Sequence, residues 1–348
     1  MKKSLLALAV LGAFAGAASA QSSVTLFGIV DLSLKNVKND GTDARRSMDN
    51  NGINSNRLGL RGTEDLGGGL KAGFWLEGAM ANDTGNPTGQ TWQRRSTVSL
   101  LGGFGELRLG RDYTPSFWNT TIFDPFGTNG VGSSLNVSRA ANAPPINGAK
   151  AEATYVRSNN SVGYFLPALG GVYGQIMVAP GEGAAGKYSG GRIGFGAGPV
   201  NVAAAIGTQD NVPGGAQKYK TFNIAGSYKI GPANLMAQYN QEKIDTAVEF
   251  KEVRILLGAA VTLGQGELRL AYVKDDQKTA GADNDDASQI AVGYVYNLSP
   301  RTALYGTFAR ISNKGASNFA VAGGSSIAAL PTAGGKSTGY EAGLRHSF

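Results

Sequence analysis

The side chains best suited to chemistry in this sequence are arginines. Arg57 and Arg61 stand four residues apart, Arg94 and Arg95 are adjacent, and Arg108, Arg139 and Arg157 follow, with Glu77, Glu106 and Asp112 interleaved among them. A guanidinium stays charged at any usable pH and presents a fork of donors that matches carboxylate and phosphate. Collected on one wall with low-dielectric surroundings, such groups concentrate anions. Rings of Arg or Lys are a known way to pass anions through a pore. The three carboxylates would hold the arginines in place and shape the field between them.

Other chemistries lack their residues. The only histidine is His346, on the apolar phase of the last alternating segment, where it can join no triad with the charged phase, and the chain has no cysteine, so neither disulfide nor thiolate is available. There is no G-x-S-x-G and no phosphate-binding glycine loop. No enzyme, cofactor or metal centre is expected. Nucleic-acid binding would call for a basic stripe interleaved with aromatics, whereas these arginines alternate with apolar residues.

That alternation identifies the elements that carry them. Arg57 and Arg61 share one phase while Leu58 and Leu60 share the other; Lys71, Trp75 and Glu77 oppose Leu70, Ala72, Phe74 and Leu76; Glu106, Arg108 and Asp112 oppose Leu107 and Leu109. Strands send alternate side chains to opposite faces. The last stretch, STGYEAGLRHSF, follows the same rule, with Tyr340, Ala342, Leu344, His346 and Phe348 on one phase and Glu341 and Arg345 on the other. Alternating segments recur along the chain, joined by two kinds of connection in turn. Short glycine-rich ones fall at 64–69, 102–105, 167–171, 196–199, 230–233, 263–267 and 298–301. Long polar ones fall at 38–54, 81–90, 114–156, 181–187, 210–218, 245–248, 278–286 and 314–336. Seven turns and eight loops join sixteen strands.

Short turns at one end and long loops at the other predict an all-β, 16-stranded antiparallel transmembrane β-barrel. In hydrocarbon every backbone group must be paired, and closure removes the unpaired edges. A cylinder this wide leaves a lumen that side chains cannot fill, so the charged phase faces water inside and the apolar phase faces lipid. The last strand then pairs with the first, and Phe348 sits in an aromatic girdle at the membrane boundary. Two segments break the rule: Phe27 and Ile29 share a phase with Asp31 and Lys35, and Arg310 shares one with Leu304 and Phe308. A bulge or a subunit contact would account for either.

The chain opens MKKSLLALAVLGAFAGAASAQ: two lysines, an apolar stretch from Leu5 to Gly16, and Ala18-Ser19-Ala20. This reads as a signal peptide over residues 1–20, cleaved after Ala20, with the barrel domain over 21–348. Loss of Lys2 and Lys3 with the leader lowers the formal charge from +7 to +5, a modest excess whose placement matters more than its size. No apolar run reaches the length of a membrane-spanning helix. Glycine, at 52 of 348 residues, is about twice its average usage and sits largely at the tight turns.

Several stretches resemble the general porins of Gram-negative β-proteobacteria: SSVTLFGIVD, NRLGLRGTEDLGGGLKAGFWLEG (56–78), RRSTVSLLGGFGELRLGRD (94–112), NLSPRTALYG (297–306) and the terminal GLRHSF. The resemblance runs the length of the mature chain and looks closest to anion-selective members. It implies a homotrimer of barrels in the cell outer membrane, each pore narrowed by an inward-folded third loop, here 114–156. It also implies a pore triad of Arg57, Arg94 and Arg157 with Glu77 as the acid opposite or nearby. Around the triad, Arg61, Arg95, Arg108 and Arg139 complete the expected path for small anions and hydrophilic solutes. Counting back from Val98 and Leu100 selects Arg95 for the lumen; the resemblance selects Arg94, which would need a bulge, so both remain candidates. The terminal Phe348 resembles the signal read by the outer-membrane assembly machinery. The acidic stretch 275–286 reads as a solvated outer loop, with cation-bridged contact to lipopolysaccharide as the sharper alternative. Rival readings are a substrate-specific channel for an anionic solute, a plugged structural or adhesive barrel, and a barrel hydrolase.

Overall fold

A computed structural model describes residues 23–85, 91–138, 155–182, 187–210, 218–245, 250–279, 285–321 and 329–348. The leader and Arg139 lie outside the described residues. In chain order the strands are β1 (Ser23–Asn39), β2 (Arg45–Asn50), β3 (Arg57–Gly67), β4 (Leu70–Ala79), β5 (Arg95–Gly102), β6 (Gly105–Tyr113), β7 (Arg157–Phe165), β8 (Val172–Ala179) and β9 (Tyr188–Ala197). They continue as β10 (Val200–Asp210), β11 (Lys218–Ile230), β12 (Ala233–Asp245), β13 (Phe250–Leu263), β14 (Gly266–Thr279), β15 (Ala287–Asn297), β16 (Thr302–Asn313) and β17 (Lys336–Ser347). Among the described residues of the third long loop are one helix, α1 (Pro115–Ile122), and a 3-10 turn over Ser134–Val137.

Every pairing is antiparallel, and the sheet closes on itself where β17 meets β1, in a register from Ile29↔Ser347 to Asn39↔Ser337. The seventeen segments make sixteen staves because β2 and β3 are two halves of one. Val37 to Leu32 of β1 face Arg45 to Asn50 of β2, and Ile29 to Ser23 face Arg57 to Thr63 of β3. The long connection expected at 38–54 is therefore corrected: the chain turns just after Asn39, returns as β2, and breaks step between Asn51 and Asn56. Side chains take over the hydrogen bonding that the ladder drops there. Asp31 accepts from the backbone N–H groups of Ile53 (2.9 Å) and Asn54 (2.7 Å) and from the Tyr305 hydroxyl, while its own N–H donates to Asn56 Oδ1 at 2.6 Å. Asn51, at φ 67°, takes the left-handed conformation at the start of this break.

The two faces follow the alternation. On β1, Leu34 is 66% exposed while its neighbour Lys35 is 5% exposed and bonded to Asp49 at 2.8 Å. A water-soluble fold would invert that order; an apolar belt belongs against lipid. The two misfits now have reasons. Phe27 points inward, edge-to-face on Trp75 with centroids 5.1 Å apart. Arg310 is exposed on the outer face beside Phe308, near the long-loop rim, a place where a long charged side chain can reach past apolar surface to the polar boundary. Neither case involves a bulge.

The described part of the third loop lies against the inner wall. Thr114 caps α1, accepting from Phe117 N–H at 3.3 Å, and Pro115 supplies the first-turn residue that needs no N–H partner. α1 then packs on β9, β10 and β11, with Asn223 donating to Ser116 O at 2.9 Å and Gln238 to Thr120 O at 3.0 Å. Further along, Gln289 donates to Gly132 O and Ser133 O, and Val131 N–H donates to Glu341 Oε1 at 3.0 Å. Phe126, Val131 and Val137 share a buried cluster with Leu256, Val273 and Ile311. The loop thus covers the wall from β9 round to β17 and leaves β3 to β7 facing the bore.

Candidate functional site

The uncovered wall carries the arginines. Arg57 opens β3, Arg157 opens β7, and Arg94 stands one residue ahead of β5. Arg57 and Arg94 meet at Glu77 of β4, and Arg94 and Arg157 meet at Tyr113 at the end of β6. Arg94 Nε lies 2.6 Å from Glu77 Oε1, and Arg57 Nη1 lies 3.3 Å from the same oxygen. Arg94 Nη2 donates to the Tyr113 hydroxyl at 3.2 Å, Arg157 Nε donates to Arg94 O at 2.7 Å, and the Arg157 guanidinium sits 4.5 Å above the Tyr113 ring. Trp75 Nε1 donates to the other oxygen of Glu77 at 3.2 Å. Two guanidiniums therefore pair with one carboxylate and a third stands beside them, all on the same wall.

Both Arg94 and Arg95 reach the interior. Arg94 precedes the regular strand, so alternation does not bind it; its N–H pairs with Glu77 O at 3.0 Å while its side chain takes the carboxylate of the same residue. Arg95 obeys the strand phase and stacks 4.5 Å over Trp75, its Nε 3.9 Å from Asp112. Arg108 is held by Glu106 (2.8 and 2.9 Å) and Asp112, over the Phe165 ring at 3.9 Å. Arg61 lies over Phe27 and Trp75, at 5.3 and 5.1 Å from the ring centroids.

Across from Arg57, Arg94 and Arg157 stands the loop. A cavity of about 550 Å3 is lined by these three residues, by Tyr113 and Arg269, and by loop residues from Phe117 to Leu135. On the loop side, Asp124 accepts from Phe126 N–H (2.8 Å), Ser134 N–H (3.0 Å) and Thr128 N–H (3.3 Å), and the turn closes with Gly127 N–H donating to Asp124 O at 2.8 Å. Burial pushes the Asp124 carboxyl above its ordinary range, against the pull of these donors.

Sequence reasoning missed four residues. Tyr113, which orients two of the arginines, carried no charge to flag it. Arg269 shares a phase with Glu267 opposite Leu268 and Leu270, and Arg192 precedes the outward Ile193, so alternation alone could have marked both. Arg269 Nε lies 2.7 Å from Glu267 Oε1, and Arg192 donates to Asn119 of α1 while lying over Tyr173 at 4.7 Å. Arg111 donates to Gln93 O at 2.6 Å, beside the register shift between Gly110 and Asp112; that irregularity has no signal in the pattern.

A family model described as Gram-negative porin matches residues 7–316. The chain belongs to the Gram-negative porins. It is 42% identical to outer membrane porin protein 32 of Delftia acidovorans, with both chains covered completely. It is 28% identical to a major outer membrane protein P.IB of Neisseria meningitidis serogroup B, again over the full length of both. Among solved structures, an anion-selective porin from Comamonas acidovorans superposes with a TM-score of 0.87 at 40% identity, covering 94% of this chain and 100% of the other. OmpT of Vibrio cholerae shares the fold, at a TM-score of 0.67 and 15% identity over 94% of this chain. As a porin, the protein spans the outer membrane as a closed sixteen-stave barrel. It conducts passively through its bore.

Proposed function

We propose that this porin prefers anions and sets that preference where Arg57, Arg94 and Arg157 face the third loop. The observation that carries the reading is a row of three guanidiniums with one carboxylate among them: Glu77 pairs with Arg57 and Arg94, and Arg157 joins through Arg94 O and the Tyr113 ring. The carboxylate fixes their geometry and leaves the wall positive. Low-dielectric surroundings on both sides focus that charge into the gap. Arg61, Arg95 and Arg108 extend the path toward the short-turn rim. The anion-selective character of the Comamonas relative supports this reading. No turnover, cofactor or energy source enters it.

The same reading includes a leader cleaved after Ala20, a homotrimer, and recognition of Phe348 by the outer-membrane assembly machinery. The apolar belt fits outer-membrane lipid, with lipopolysaccharide at the long-loop rim. The decisive experiment replaces Arg57, Arg94 and Arg157 together with glutamine and measures reversal potential across a salt gradient in a planar bilayer. The triple variant is expected to shift from anion preference toward the neutral value. A triple variant with wild-type reversal potential refutes the assignment, and a wild type that carries no current is a plugged barrel.

A further inference from the structure

We propose that a row of four lysines on the lipid-facing side of β11 to β14, at the long-loop rim, is a docking rail for the phosphate groups of an outer-leaflet lipid. The inference rests on the reading that this rim meets lipopolysaccharide, and it names the site and the chemistry that would do so.

Strand register sets the row. Lys220 of β11 stands opposite Lys243 of β12, Lys243 opposite Lys251 of β13, and Lys251 opposite Lys278 of β14. Facing residues of an antiparallel pair hold their Cβ atoms about 5 Å apart. The chain neighbours Tyr219, Glu242, Glu252 and Gln277 are at most 4% exposed, on the inner face. All four lysines therefore project from the outer face, away from the bore. Behind them the wall is braced: Arg254 reaches Glu242 and Glu252 at 2.9 Å each, and Tyr219 donates to Glu242 at 2.8 Å.

The row sits at the top of the apolar band, on the side that long loops mark as extracellular. On β13 the outward residues from Leu263 up to Val253 are all apolar, and Lys251 comes next. Ten residue steps make about 34 Å of strand. At the usual barrel tilt that is about 25 Å of height, the height of a membrane-facing band. Below the lysines of β11 and β12, Phe222 and Tyr239 meet edge to face with centroids 6.3 Å apart, and such rings favour a membrane boundary. Acyl chains lying on this band would bring their polar head to the lysines.

Charge points to the same occupant. Like charges directly opposite on a sheet repel, so four in a row are a costly arrangement that a ligand of opposite charge relieves. Lys218 and Lys274 share the outward phase above the band, whereas the acids there among the described residues are Asp245 and Asp276. Lys220 pairs with Asp245 at 2.7 Å, and lysines still outnumber acids on this patch. A phosphate offers several oxygens, and lysine binds it as a point charge. A layer of anionic headgroups attracts such side chains. The same face of a second copy would carry the same sign and repel it.

The test uses the full-length porin in non-ionic detergent, titrated with bisphosphorylated lipid A, the membrane anchor of lipopolysaccharide, with bound lipid counted by native mass spectrometry. Lys251→Gln is expected to raise the half-saturating lipid concentration about fivefold, the loss expected for one lysine near an anionic headgroup. Glutamine at all four positions should raise it on the order of a hundredfold, short of strict additivity because the four are neighbours. Lys251→Arg keeps the charge and should bind like wild type. Lys229→Gln, at the short-turn end of β11, should change nothing. Dephosphorylated lipid A should bind wild type as weakly as the quadruple variant binds the phosphorylated form. In planar bilayers at about 1 M salt, where charges are screened over about 3 Å, every variant should keep wild-type conductance and reversal potential. That result shows that the variants fold and separates this site from the anion path. Wild-type affinity in the quadruple variant, or equal binding of the dephosphorylated lipid, overturns the proposal and leaves the broader rim reading in place; no binding of lipid A by wild type overturns both. Displacement of lipid A by an equal concentration of orthophosphate would assign the row to free phosphate, and loss of the oligomer in the quadruple variant would assign it to a subunit contact. Either result also overturns the proposal.

Discussion

At the scale of single residues, the bore is organised by carboxylates that do two different jobs. Glu77 is a clamp, fixing Arg57 and Arg94 by direct contact. Asp124 is a knot, gathering the N–H groups of Phe126, Thr128 and Ser134 so that the loop opposite the arginines holds one shape. The knot has a pH dependence whose sign follows from burial. In the unfolded chain Asp124 ionises at its ordinary value of 3.8, whereas in the packed loop its carboxyl keeps a proton to higher pH. Between those two values the packed state binds more protons than the open one. Loop packing therefore weakens as pH rises through that window and levels off above it. Asp124→Asn keeps an acceptor oxygen and removes the titration. Open-channel current noise of the wild type should grow as pH rises above 3.8 and then level off, while the asparagine variant stays flat over the same titration. An identical slope in both proteins would place the titrating group elsewhere.

At the scale of elements, the alternation of apolar and charged residues was enough to count staves, to assign their faces and to find the third loop at 114–156, because each strand reports its own two faces locally. What the pattern did not reveal depends on partners far away in sequence. The break between β2 and β3 exists because Asp31 collects Ile53, Asn54 and a tyrosine from β16. Phe27 turns inward because Trp75 is there to receive it. Arg94 escaped the count because it stands just outside a regular strand. The loop tip is the sharpest case: Val131 is held by Glu341, a residue of the last strand. Gly130 beside it has φ +64°, and a Cβ there would stand 2.0 Å from Gly52 O and 2.3 Å from Glu341 Oε1. Gly130→Ala should thus push the tip away from the β2–β3 break, changing single-channel conductance and raising noise. The control is Gly231→Ala, at φ +54° with nothing near its Cβ. It carries the same backbone penalty of about 1–2 kcal/mol at a turn remote from the loop, so its conductance should match wild type. If the two variants conduct alike, the tip contact does not set the bore.

At the scale of the whole molecule, a cylinder is only as sound as its seam. The barrel has no edge because β17 returns to β1, and the seam ends in a reciprocal pair of backbone bonds, Gly28 N–H to Phe348 O and Phe348 N–H to Gly28 O, both at 3.1 Å. The terminal ring occupies the space that a side chain at Gly28 would need: a Cβ there would lie 2.3 Å from Phe348 Cζ and 2.9 Å from Arg57 O. The end of the chain, the first stave and the start of the arginine wall therefore meet at one glycine. Gly28→Ala should overpack this corner, at a cost of about 1–3 kcal/mol, and lower the melting temperature of the folded barrel in detergent. Phe348→Val alone should also destabilise, by removing ring contacts. Combined with Gly28→Ala it should cost less than the two single effects added together, because the smaller side chain vacates the space the new methyl needs. Such a coupling between contacting residues is what a double-mutant cycle isolates. Strict additivity would mean that the ring and the glycine do not meet, and that the seam is closed by the ladder alone.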